Sequence, residues 1–181
     1  MLLVVAATDR ELECAHGAET LCCGIGPVEA ALRTASALAG RRPDALLHLG
    51  LAGAARLEPP ALVLGSEAVY CDLLDPAFTL PRVLRAEPDP ELLAAARQAL
   101  PEAQVLPIGT SARVGGGAEC EVEAMEGFGV LRAARLAGVP ALELRAVSNA
   151  VGEADRSRWR IGEALAALDE ALPRLVAVLG G

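Results

Sequence analysis

The chain has 181 residues, of which 53% are apolar and 22% charged, with a formal net charge of −8. That length and apolar content rule against disorder and predict one domain over residues 1–181 with a sizeable core. The acidic balance, with basic residues scattered and never in a run, rules against electrostatic binding to nucleic acid or to an anionic membrane surface.

Aromatics are only 2% of the chain, so the core is expected to be aliphatic, and Trp159, Tyr70, Phe78 and Phe128 are scarce residues. No apolar stretch reaches the roughly 18 residues that a membrane span needs. Met1 to Ala7 shows neither a basic leader nor a cleavage pattern, so a cytoplasmic location is expected. The five cysteines include no CxxC spacing, and Cys22–Cys23 are adjacent, which predicts reduced, packing cysteines. His16 and His48 are too few and too isolated for zinc, and neither a metal nor an organic cofactor is expected.

The continuous apolar run Leu2–Ala7 predicts a buried strand, followed by a short helix capped by Thr8 or Asp9 with Glu11 in its first turn. A short strand at Glu19–Cys23 ends in Gly24-Ile25-Gly26-Pro27, and Pro27 starts a helix to about Ala39. After a turn at Arg41–Asp44, Ala45–Leu49 is a third buried strand, ending in a Gly50-Leu51-Ala52-Gly53 loop. Leu62–Cys71 is a strand, and the Pro-, Asp- and Arg-rich Asp72–Pro90 a surface loop. A helix at Pro90–Leu100 and a strand at Gln104–Ile108 follow, then a flexible connection beginning at Gly115–Gly117. Ala124–Ala137 reads as a helix stopped by Gly138 and Pro140, Ala141–Val147 as a strand, and Arg160–Leu179 as a terminal amphipathic helix.

Alternating strands and helices predict a single α/β domain with a central mixed, largely parallel sheet flanked by helices. In such sheets ligands gather at the carboxyl ends of strands. Thr8–Glu11, Gly50–Gly53 and Ser148–Asp155 fall there, with Met125-Glu126 beside them. Each has a plainer reading. A lone Glu11 is often a solvated helix residue. Glu126, inside Ala124-Met125-Glu126-Gly127-Phe128, must be paired if buried, and a structural ion pair would satisfy it. Neither glycine motif is a phosphate-binding loop.

Taken together the motifs say more. Ala-Thr-Asp-Arg-Glu after the first strand, Cys-Gly-Ile-Gly-Pro-Val-Glu-Ala-Ala, His-Leu-Gly-Leu-Ala-Gly-Ala, Ala-Met-Glu-Gly-Phe and Leu-Arg-Ala-Val-Ser-Asn occur in that order over nearly the whole chain. This order resembles the nucleoside phosphorylase and nucleosidase superfamily, and within it the hydrolytic nucleosidases. Those acting on methylthioadenosine and S-adenosylhomocysteine end the last motif in Ser-Asp, whereas this chain has Ser148-Asn149. The continuation through Val151-Gly152 to Asp155-Arg156-Ser157-Arg158-Trp159 looks like the futalosine hydrolase family, which serves an alternative route to menaquinone.

The Asn fits that likeness chemically. An aspartic acid can donate a proton to N7 of adenine. Hypoxanthine presents O6 and N7 as two acceptors on one edge, and an amide NH2 can donate toward both without repelling O6. The plainer alternative is an Asn that caps the strand end.

The resemblance implies a role for each matched position. Glu11 would activate the attacking water, and Glu126 would bind the ribose hydroxyls and stabilise an oxocarbenium-like transition state. Asn149 would hydrogen-bond the leaving purine, Ser148 would support its loop, Met125 would pack on the ribose, and Ala52 and Gly53 would also bind the substrate. Trp159 would close the pocket for the 5′ substituent, or else dock the terminal helix. Futalosine carries an aromatic carboxylate on that side, for which Arg113, Arg156 and Arg158 are candidates; Arg145 is read as structural. The resemblance also implies a purine nucleoside as the small-molecule partner and a homodimer. Three alternatives stand beside it. One is a methylthioadenosine or S-adenosylhomocysteine nucleosidase. A second is a purine nucleoside phosphorylase, with Arg10 and Gly24–Gly26 as part of an anion site. The third, of another class, is a nucleoside-binding module without catalysis.

Overall fold

A computed structural model describes residues 1–75, 77, 79, 81–115 and 119–180. Phe78 and the Gly116–Gly117 part of the expected connection lie outside the described residues.

The valine-rich run forms β1 (Leu2–Ala6), every residue of which is buried. Thr8 caps α1 (Asp9–Leu12) in a reciprocal capping box with Glu11. β2 (Glu19–Cys22) and α2 (Pro27–Gly40), with Pro27 in its first turn, follow as expected.

β3 runs from Ala45 to Ala54, through the glycine motif that was expected to be a loop. Two partners hold it extended. Beyond Leu49 it pairs in parallel with the last strand as far as Ala54, with an irregularity between Ala52 and Gly53. At Gly53 and Ala54 it pairs antiparallel with a short strand on its other side. Gly50 is required there for space: a Cβ would lie 2.4 Å from Arg145 Nη1 and 2.8 Å from Glu11 Oε1.

β4 (Leu62–Tyr70) is followed by the expected surface segment, except that Arg85–Ala86 forms β5 and buries Ala86 against it. α3 (Pro90–Ala99) is capped by Asp89, and β6 runs from Gln104 to Thr110. The helix expected over Ala124–Ala137 begins later. Val122–Ala124 is a strand, β7, pinned between β3 and β6, and α4 spans Gly127–Ala137. Gly138 closes α4 in the left-handed region (φ 70°). β8 continues past Val147 to Ala150, taking Ser148 and Asn149 out of the expected loop. After a 3-10 turn at Arg156–Arg158, α5 spans Ile161–Leu179, with Arg160 as its cap.

The eight strands found among the described residues make one mixed sheet, seven of them in the order β2-β1-β3-β7-β6-β4-β5. β8 pairs with β3 in parallel and with β4 antiparallel, so β3, β7, β6, β4 and β8 close into a ring. Five of the eight pairings are parallel. One face of the sheet is covered by α3 and α5, through Ala96, Leu100, Leu168, Leu172 and Leu175. The other is covered by α2 and α4, through Ala30, Leu38, Val130, Leu131 and Ala134. A third cluster, including Ala52, Val63, Ile108, Val122 and Val147, joins the strands of the ring. The core is aliphatic; Tyr70 and Phe128 stack on one another at 5.1 Å.

Candidate active site

The carboxyl ends of β1, β3 and β8 and the junction of β7 with α4 meet around a cavity of about 380 Å³. The nine residues singled out from the sequence all line it: Glu11, Glu126 and Asn149, then Met125, Ser148, Trp159, Gly53, Ala52 and Arg113.

Glu11 is buried, not a solvated helix residue. The Thr8 backbone N–H and hydroxyl donate to its Oε2 at 3.0 and 2.7 Å. The Leu51 N–H donates to its Oε1 at 3.0 Å. A carboxylate has roughly four acceptor positions, so these three bonds fix its plane and leave capacity on Oε1.

Glu126 stands at the cap position of α4, but its side chain does not cap that helix. Its Oε1 accepts the Gly26 N–H at 3.0 Å, and its Oε2 lies 3.5 Å from Arg145 Nη2. Gly26 adopts φ 92°, a conformation that favours glycine, where it caps α2 and aims its N–H at that carboxylate. Gly26 of the Gly24–Gly26 motif therefore serves Glu126.

Asn149 sits over Gly53, where a Cβ would come within 3.1 Å of its Nδ2. The Ser148 hydroxyl donates to Asn149 Oδ1 at 2.8 Å, and Asn149 Nδ2 donates to Ala150 O at 3.0 Å. With the carbonyl oxygen engaged, the second amide hydrogen is the group left for a ligand.

Trp159 lines the cavity instead of only docking α5. Its Nε1–H donates to Glu153 O at 3.0 Å, and the Arg156 guanidinium lies 5.6 Å from the ring centroid. Two of the carboxylate-binding candidates lie outside the cavity lining. Arg156 stacks on Trp159, Arg158 pairs with Glu153 and Asp155, and neither lines the cavity. Arg10 and Arg113 do line it.

Two features were not anticipated. Glu123, buried on β7, is a third carboxylate on the cavity wall. Behind the wall lies a buried polar network. Arg145 Nε donates to Glu143 Oε1 at 2.8 Å, and its Nη2 meets His48 Nε2. His48 Nδ1 lies 3.0 Å from Val5 O, so the neutral ring donates there and accepts from Arg145. Burial, helped by the Arg145 charge, holds the His48 pKa well below the ordinary value. Burial pushes Glu143 up, and Arg145 opposes it. The signal available in the sequence was Glu143 and Arg145 interrupting the apolar run of β8. Burial also pushes the Cys14 thiol up to about 11 and that of Cys23 to about 12, which disfavours reactive thiolates.

The family model of the phosphorylase superfamily matches residues 20–179. The chain belongs to the phosphorylase superfamily. A futalosine hydrolase from Streptomyces coelicolor, similar within that superfamily, is 39% identical over 90% of this chain and 80% of the relative. Among solved structures, a futalosine hydrolase mutant from Helicobacter pylori has a TM-score of 0.86 at 19% identity, covering 97% of this chain and 98% of the other. A 5′-methylthioadenosine/S-adenosylhomocysteine nucleosidase from the same organism reaches 0.88 at 17% identity, covering 97% of both chains. The superfamily fold is thus common to both kinds of nucleosidase, and the separation between them rests on sequence and on the site.

Proposed function

We propose that the protein is an N-glycosyl hydrolase that cleaves futalosine to hypoxanthine and dehypoxanthine futalosine. The observation that carries this reading is the convergence of Glu11, Glu126 and Asn149 on one cavity of nucleoside size. The 39% identity to a futalosine hydrolase points to the same substrate.

In this mechanism Glu11 takes a proton from the attacking water through Oε1, the oxygen with acceptor capacity remaining. Glu126, fixed by the Gly26 N–H, accepts from the ribose hydroxyls, and its charge favours the oxocarbenium-like transition state over the neutral substrate. Met125 packs on the ribose, and Ala52 and Gly53 line the substrate site with it. Asn149, oriented by Ser148, donates to the purine edge as the base leaves. Trp159 covers the 5′ substituent, and Arg113 contributes positive charge at the cavity. Water is the acceptor in place of phosphate in this reading: Leu51 stands after Gly50 where a phosphorylase anion site would offer a hydroxyl, and its N–H is bound to Glu11. The active form in this reading is a cytoplasmic homodimer serving menaquinone biosynthesis.

The test is base release by purified protein offered futalosine, inosine, methylthioadenosine and S-adenosylhomocysteine, with and without phosphate, resolved by chromatography. Hypoxanthine from futalosine alone, at a rate indifferent to phosphate, is expected. Adenine release from the thio-nucleosides would overturn the base assignment. Tight nucleoside binding with no release over hours would make the protein a binding module.

A further inference from the structure

Glu143 and Arg145 are fully buried in the apolar run of β8, at 0% and 1% exposure. A carboxylate in such a place must be paired, yet only one of its oxygens is. Oε1 accepts from Arg145 Nε, whereas Oε2 is buried with no hydrogen-bond partner among the described residues. The surroundings make room for this group. A Cβ on Gly127 would lie 2.3 to 2.6 Å from three atoms of the Glu143 carboxyl, and one on Gly65 would lie 3.3 Å from Glu143 Cβ. An aliphatic side chain would fill the same space with no orphaned oxygen, so packing alone does not account for Glu143.

Arg145 shows what the carboxylate does. Glu143 holds the guanidinium by Nε and His48 holds it by Nη2. The Nη groups are thereby set 3.4 Å from Leu51 O and 3.5 Å from Glu126 Oε2. Leu51 is the residue whose N–H fixes Glu11. One buried cation therefore touches Glu126 itself and the residue that fixes Glu11.

We propose that Glu143 is a positioning residue for the hydrolysis: with His48 it orients Arg145, and its charge keeps Arg145 from neutralising Glu126. Glu143, Arg145 and Glu126 together carry −1 when all are charged. With Glu143→Gln the sum is zero, although the shape and the acceptor toward Arg145 Nε remain. The loss is felt by the positively charged transition state and hardly by the neutral ribose of the substrate, so it falls on kcat and not on KM.

This inference rests on the nucleosidase reading, and its test separates the two. Steady-state kinetics of wild type, E143Q and E143D are measured on the nucleoside that wild type cleaves. For E143Q, kcat is expected to fall roughly 10- to 100-fold, with KM within about threefold. E143D, which restores the charge, is expected to recover part of kcat. A folded E143Q with wild-type kcat, or with raised KM and unchanged kcat, would overturn the proposal. Should E143Q fail to fold, the wild type supplies a second measurement. In its proton–nitrogen spectrum the Arg145 Nε–H, identified by its loss in R145K, is expected far downfield and slow to exchange. An Arg145 Nε–H exchanging as fast as exposed arginines would overturn the proposal whatever the activity. A wild type that cleaves no nucleoside defeats the function reading instead, and the spectrum still decides the pairing.

Discussion

Asn149 is where a single side chain is asked to choose a base. Its Oδ1 is held by the Ser148 hydroxyl and one amide hydrogen by Ala150 O, so the other amide hydrogen is the group offered to a ligand. An aspartate in the same place would put a charge, already tied to Ser148, against O6 of a 6-oxopurine. Asn149→Asp is therefore expected to lower kcat/KM for futalosine by about 10²-fold, or about 2.7 kcal/mol. It should also raise the relative rate on the adenine analogue. Competition between the two nucleosides, read as the hypoxanthine-to-adenine ratio, checks this, and an unchanged ratio would remove Asn149 from base selection. At this scale the sequence was informative because chemistry-bearing types stood where they are costly. A carboxylate in Ala-Met-Glu-Gly-Phe and an amide closing an apolar strand are hard to explain as surface. Glu123 was given no role because it lay just before the helix expected from Ala124, in a stretch assigned to no element, which gave its side chain no particular direction. Arg156 and Arg158 were legible as charges, but which way a charge points depends on Trp159, Glu153 and Asp155, and no spacing rule encodes that.

Elements explain how the residues are held. α1 is a single turn, too short to be stable on its own. Thr8 makes it possible by capping the Glu11 N–H at 3.3 Å while donating its own N–H and hydroxyl to the Glu11 carboxylate. The cap and the catalytic geometry are one set of bonds. Thr8→Ala is expected to cost about 1 kcal/mol of stability and to lower kcat at the same time, since Oε2 loses one of its two donors. Thr8→Ser should restore both. Urea unfolding with kinetics on the same samples tests the coupling; lost stability with unchanged kcat would reduce Thr8 to a cap. Local rules read this element well, as they did Pro27 at the start of α2 and Gly138 at the end of α4. They failed where a distant partner decided the outcome. Gly50–Gly53 looks like a turn until β8 and β7 flank it, and Ala124 looks like the first residue of a helix until β3 and β6 draw Val122–Ala124 into a strand. Both errors fall in the ring of strands that carries the site, because closing a ring depends on contacts far apart in the chain.

For the whole molecule, the site rests on a buried polar network inside an aliphatic core, and that has a consequence for stability. His48 is fully buried and neutral, and its folded-state pKa lies well below the ordinary 6.5. The unfolded chain releases that ring to water, where it takes up a proton below about pH 6.5. Between that pH and the depressed folded value the unfolded state binds more protons, so the contribution of His48 to stability declines as pH falls. Glu143 works in the opposite direction. Its folded pKa is raised, so the cost of keeping it ionised is relieved as pH falls through that value. A pH titration of the wild type alone would mix the two. Comparison with His48→Gln isolates the ring, since glutamine does not titrate and Glu143 is common to both proteins. The unfolding free energy of wild type minus that of H48Q is expected to be flat above about pH 7. Below about pH 6 it should fall by up to about 1.4 kcal/mol per pH unit, the limit for one proton. Urea melts at half-unit steps from pH 8 to 5 give the difference directly. A difference independent of pH would mean that His48 is as open to water in the folded state as in the unfolded chain, and a difference that rises as pH falls would mean that it is charged in the folded state. In either case it could not be the neutral acceptor that holds Arg145 in place.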